Sequence, residues 1–135
     1  MALDPASFVV HDVSRFPVVH ARAEAIQPGY AGQWLREMDA LLAQDQTFVV
    51  VMAGNEAAET HEDRKQRGLW LKRNRQALGR RCLALVGVEP DGLKRAALRL
   101  QAAMAVKAFG IPAEIVASAA EAEQASARIL RGQAT

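Results

Sequence analysis

Residues 47–54, TFVVVMAG, decide how the chain is read. From Phe48 to Ala53 every residue is apolar, without the alternation of a half-wet strand, so both faces of this segment must be covered. A strand covered on both faces belongs in the middle of a sheet, and continuous apolar runs of this kind mark parallel sheets. The same signature returns in LALVGV at 83–88 and, shorter, in AEIVAS at 113–118.

Working outward, the segments between these runs read as helices. After IQPGY, residues Trp34, Leu35, Met38, Leu41 and Leu42 form one helical stripe, opposed by Arg36, Glu37, Asp39 and Gln44. Thr60 followed by Asp63 has the spacing of a capping box, with Gly79 as the stop signal, and Ser118 with Glu121 repeats the device before the last helix. Upstream, FVVHDV and PVVHARAEA are β-branched runs divided by SRFP, and in the second Val19, Ala21, Ala23 and Ala25 alternate with polar residues. They predict an antiparallel hairpin. The order is therefore ββαβαβαβα: one α/β domain over residues 1–135, with a mixed, mostly parallel five-stranded sheet and about four helices.

Length and composition agree with a single domain. At 135 residues, half of them hydrophobic, the chain buries enough surface to fold without disulfides or a structural metal. The single cysteine, Cys82, lies in an apolar strand and suits a reducing compartment. With neither a signal-peptide pattern nor a membrane-spanning run, the expected location is the cytoplasm.

Net charge is only +2, which argues against nucleic acid, but from Thr60 to Arg81 eight basic residues meet two acidic ones. That segment carries +6 and the remainder −4. Lys65, Lys72, Arg73 and Arg75 are expected to face water, and Arg67 and Asn74 interrupt the apolar side of the same helix. A buried amide at Asn74 must find partners or cost about 1–3 kcal/mol.

No nucleophile elbow, phosphate loop, dinucleotide fingerprint or paired-cysteine metal motif occurs, so no cofactor and no metal is expected. In open sheets with parallel centres, ligands gather beyond the carboxyl ends of the strands, where helix N-termini present unpaired N–H groups. Here that edge is built by Asn55, Thr60 and His61, flanked by Arg64, with Arg67 and Asn74 further along the helix. His61 is the titratable group that could serve as acid, base or phosphate partner. The helix over Gly92–Phe109 carries two apolar stripes, one through Leu93, Leu100 and Met104 and one through Leu98, Ala102, Ala105 and Phe109. The second stripe is expected to form a homodimer interface, since large apolar patches are rarely left bare.

The element order, together with LWLKRNRQALGRRCLALVGVEPDG (69–92) and KAFGIPAEIVASAAEAEQASARIL (107–130), resembles the SpoIIAA-like proteins of the STAS superfamily, the sporulation anti-sigma-factor antagonist and its relatives. The resemblance implies a binding or regulatory module, and edge geometry with the helix dipole puts a partner protein or a small anion at the edge between the third strand and second helix. In the best-known antagonists a Ser or Thr at the start of that helix is phosphorylated, typically in an Asp-Ser-Ser-Gly-like turn. The matching turn here reads AGNEAAETHED (53–63), in which Thr60 is the only hydroxyl and so the phosphoacceptor the resemblance points to. The alternative readings are a small-molecule or lipid-binding protein, or a small enzyme whose pocket uses His61 with His20 or Asp91.

Overall fold

The computed structural model describes residues 3–53 and 59–134. Five strands, β1 (His11–Asp12), β2 (Val18–Ala21), β3 (Phe48–Ala53), β4 (Cys82–Val88) and β5 (Ala113–Val116), form one sheet in the order β1-β2-β3-β4-β5. The β1/β2 pair is antiparallel and every other pair is parallel. Five α-helices accompany them: α1 (Ala31–Leu42), α2 (His61–Arg73), α3 (Arg75–Arg81), α4 (Gly92–Phe109) and α5 (Ala119–Ala134).

Because β2 to β5 succeed one another in space as in sequence, all three crossovers step the same way. Right-handed connections then put α1, α2, α3 and α4 on one face, leaving the other to α5. Two cores result. Phe48 and Val50 point into the first, with Met38, Leu41, Trp70, Leu78 and Ile111, while Val49 and Val51 meet Ala122 and Ala125 in the second. The apolar run at 48–53 is thus the two-faced central strand its sequence predicts. At the start of β4, Cys82 pairs with Phe48 and Ala84 with Val49, so Leu83 is an extra residue that resets the register.

The hairpin is shorter than its apolar runs. Only His11 and Asp12 pair with β2, and the chain turns into a 3-10 helix at Ala23–Ala25, where Ala-Glu-Ala has little strand preference. The single helix expected from Thr60 to Gly79 is two helices. Asn74, at φ −107° and ψ 17°, breaks it, and its amide donates back to the Trp70 carbonyl at 2.9 Å. Gly79 does not stop the second piece, which continues to Arg81 and passes directly into β4. The Thr60 capping box closes, Asp63 N–H donating to Thr60 Oγ1 at 3.1 Å; at Ser118 the cap forms, Glu121 N–H donating to Ser118 Oγ at 3.1 Å, but the Glu121 carboxylate reaches back to the Ala117 N–H at 2.8 Å.

The interface expected on Leu98, Ala102 and Ala105 meets a correction. Those residues are the half-buried side of α4, the side that packs on β5, whereas Leu93, Leu100 and Met104 are 86%, 74% and 73% exposed. A helix lying over the last strand of a sheet has room beneath it for one stripe only. The side chain of Phe109 lies outside the described residues. No helix among the described residues is long and apolar enough to cross a membrane.

Candidate functional site

The carboxyl ends of β2 and β3 open beside the N-termini of α1 and α2, and two buried carboxylates organise that edge. Asp63 does more than close the cap of α2. Its carboxylate accepts from Thr60 Oγ1 (2.9 Å) and Thr60 N–H (3.3 Å), and also from Gly29 N–H (2.9 Å) and Ala31 N–H (3.2 Å) where α1 begins. Gly29 sits at φ +90°, a conformation that costs glycine little, and so its N–H turns toward α2. Burial pushes the Asp63 carboxyl up, but these donors outweigh it and hold the group below its ordinary value.

One residue before the cap, Glu59 has a fully buried side chain. It accepts from the Tyr30 hydroxyl, from Arg67 Nε at 2.6 Å and from Arg64 Nε at 3.3 Å. Burial alone would raise its pKa; the Arg67 and Tyr30 hydrogen bonds reverse the shift. Arg67 in turn lies over the Trp34 ring, 5.7 Å from its centroid, and Trp34 meets Trp70 edge-on at 5.3 Å. Trp70 Nε1 donates to Asp39 at 2.9 Å, so α1 and α2 are joined along their length.

A third buried carboxylate lies in the middle of α1. Glu37, expected on the wet side of that helix, is 3% exposed. It accepts from the N–H groups of Val9 (2.7 Å), Val10 (3.0 Å) and His11 (2.8 Å), from His11 Nδ1 (2.9 Å) and from Gln33 Nε2 (2.7 Å). Burial would raise its pKa, but the His11 hydrogen bond and the Val9 amide lead the donors that bring it down to about 2. The Val9 and Val10 amides thus go to Glu37 and not to a neighbouring strand, and β1 begins only at His11. Glu37 stands three residues after Trp34 and four before Leu41, inside the apolar stripe, and that spacing is the signal a hydropathy reading passes over.

Of the expected site residues, Thr60, His61 and Arg64 are brought together and exposed at the rim, whereas Arg67 is half-buried beneath them. Asn55 lies outside the described residues. Asn74 caps the far end of α2, about 20 Å along the helix from His61 at 1.5 Å per residue, and its amide is satisfied there. The predicted solvent face holds: Lys65, Lys72, Arg73 and Arg75 are all exposed.

The pairings needed for a His61 enzyme do not form among the described residues. His20 points to the other face of the sheet, where its Nε2 lies 3.0 Å from Glu123 on α5 and 3.1 Å from Arg15. Asp91 caps α4, accepting from Leu93 and Lys94 N–H at 2.9 and 3.0 Å. His61 lines neither of two shallow hollows. One of about 390 Å³ opens at the opposite sheet edge between Thr47 and Arg81, and another of about 300 Å³ lies between Phe8 and Arg36. No group of three potential metal ligands occurs among the described residues. Burial pushes the Cys82 thiol up to about 12, which makes it a poor nucleophile. Compared with known proteins, the chain matches no family model, no curated protein and no solved structure.

Proposed function

We propose that the chain is a non-enzymatic regulatory module of STAS-like, SpoIIAA-like type, working in the cytoplasm, and that it docks a partner protein on the β3/α2 edge. The carrying observation is the saturation of that edge: Asp63 accepts from four donors and Glu59 from three, supplied by the turn into α1, the first residue of α1, and α2 with its cap. Such a network holds α1 and α2 at a set distance and presents His61, Arg64 and Lys65 outward on a stiff platform. The platform favours a protein over a small anion, because Thr60 already satisfies the Asp63 amide and two buried carboxylates repel further negative charge. One antiparallel hairpin followed by three same-handed crossovers is also the element order on which the STAS likeness rests.

Thr60 is then a cap and not a phosphoacceptor. Its hydroxyl both donates to and accepts from Asp63, and a phosphate there would set a dianion against that carboxylate. The test is affinity capture with the His61→Ala/Arg64→Ala double variant. Both side chains are exposed, and although Arg64 reaches a buried carboxylate, its 3.3 Å contact is the longest of the three Glu59 accepts and those from Tyr30 and Arg67 remain, so the thermal midpoint should not move. Loss of the captured partner at unchanged midpoint supports the site; equal capture by variant and parent removes it.

A further inference from the structure

The charge of this chain is more divided than its +2 total suggests. Between residues 64 and 107 twelve Lys and Arg residues stand against Glu89 and Asp91 alone, a balance of +10, and the rest of the chain carries −8. This basic segment runs from the fourth residue of α2 through α3 and β4 to the last turn of α4, while the first turn of α2, outside it, carries Glu62 and Asp63. All its helices lie on one face of the sheet, and Arg75 of α3 comes within 3.8 Å of where a side chain on Gly110, the cap of α4, would begin.

On that face α4 is the outlier. It contains no acidic residue, and its outward row of Leu93, Leu100 and Met104 is nearly bare. Exposed alanines at 96, 97 and 103 fill the row between them, and Lys94, Arg99 and Lys107, all exposed, border or punctuate it. Arg99 also donates to the Ile115 carbonyl at 3.1 Å, on the open edge of β5, which obstructs pairing with another strand there.

We propose that this face of α4 is a membrane-docking surface for anionic phospholipid, lying flat in the headgroup region with its leucines and Met104 directed into the acyl boundary. Charge decides the sign of the occupant: an acid-free helix on a +10 segment selects a negative surface. Charge also disfavours a second copy, because a two-fold contact across α4 would set basic rows against each other with no acidic residue on either helix. Shape disfavours a protein, since the row is about 16 Å long and one helix wide, a small part of the roughly 800 Å² a stable interface needs from each partner. A bilayer needs only a few apolar side chains with cationic neighbours, the pattern of interfacial helices.

The experiment is co-sedimentation of the full chain with phosphatidylcholine vesicles, with and without phosphatidylserine. The chain should pellet with the phosphatidylserine vesicles, remain soluble with the neutral ones and detach as salt is raised. Leu100→Asp, and separately Lys94→Glu/Lys107→Glu, should each weaken partition about tenfold or more at unchanged circular dichroism. The His61→Ala/Arg64→Ala variant should bind vesicles like the parent, so loss of the partner site and loss of this surface are told apart. Partition that is absent, indifferent to lipid charge or insensitive to these substitutions overturns the proposal. So does a dimer in light scattering that Leu100→Asp dissolves while vesicles bind nothing, which would give the row to a second copy.

Discussion

Helices α1 and α4 do the same topological work, each crossing over the same face of the same sheet to join neighbouring parallel strands, yet they treat their side chains in opposite ways. The first buries a glutamate and the second leaves two leucines and a methionine in the open. What differs is the neighbourhood. Beneath α1 lie the central strands, with α2 against its flank and the N-terminal segment over it, so even its polar Glu37 is enclosed and must be satisfied. Only the edge strand lies beneath α4, and one stripe of the helix is enough to cover it. Burial here follows position in the sheet more closely than hydropathy of the helix.

That contrast can be broken most forcefully at Glu37. Glu37→Ala strips the partner from three backbone amides and the His11 ring, and we expect a loss of about 3–5 kcal/mol in urea unfolding. The pH dependence has a definite sign. The carboxyl titrates at about 2 in the folded chain against an ordinary 4.5, so its contribution is present above pH 4.5 and drains away as pH falls through 2. Glu37→Gln should flatten the acid limb of a stability–pH curve over that window; an unchanged slope would show that another carboxylate dominates it.

A matched pair of leucines sharpens the comparison next. Leu41, completely buried on α1, should cost about 2–5 kcal/mol when cut to alanine, and the result is read as a drop in the denaturation midpoint. The corresponding change at Leu100 closes the series as its smallest effect, within about 0.5 kcal/mol of the parent. Similar losses at both would mean that α4 is covered in solution.

Between these extremes, Thr60→Ala should cost about 1 kcal/mol by undoing the α2 cap, and Ser118→Ala about the same at α5. At Cys82, whose thiol burial raises to about 12, the expected result is chemical and not thermodynamic. An aromatic disulfide reagent should leave the native thiol untouched and label it fully in denaturant; prompt native labelling would mean that β4 opens readily.

Much of this architecture is legible in the residues. The two-faced strand at 48–53, the stripe through Trp34 and Leu41, and the Thr60 and Ser118 caps are local patterns, and each element formed where its pattern stands. The candidate edge was half legible. Thr60, His61 and Arg64 are neighbours in sequence and need only a helix to meet, but Glu59 beneath them takes Tyr30 from a turn 29 residues away.

The residues alone determined the class of fold, because hydrophobic periodicity and cap chemistry are properties of short segments and carry over into any structure that satisfies them. Tertiary structure decided the rest: that Glu37 is enclosed, that Asp63 ties two helices together, that Asn74 breaks one, and that the bare side of α4 is the row through Leu100 and not the one through Leu98. Each of these turns on which groups from distant parts of the chain compete for the same water-free space, and a single segment holds no record of that competition.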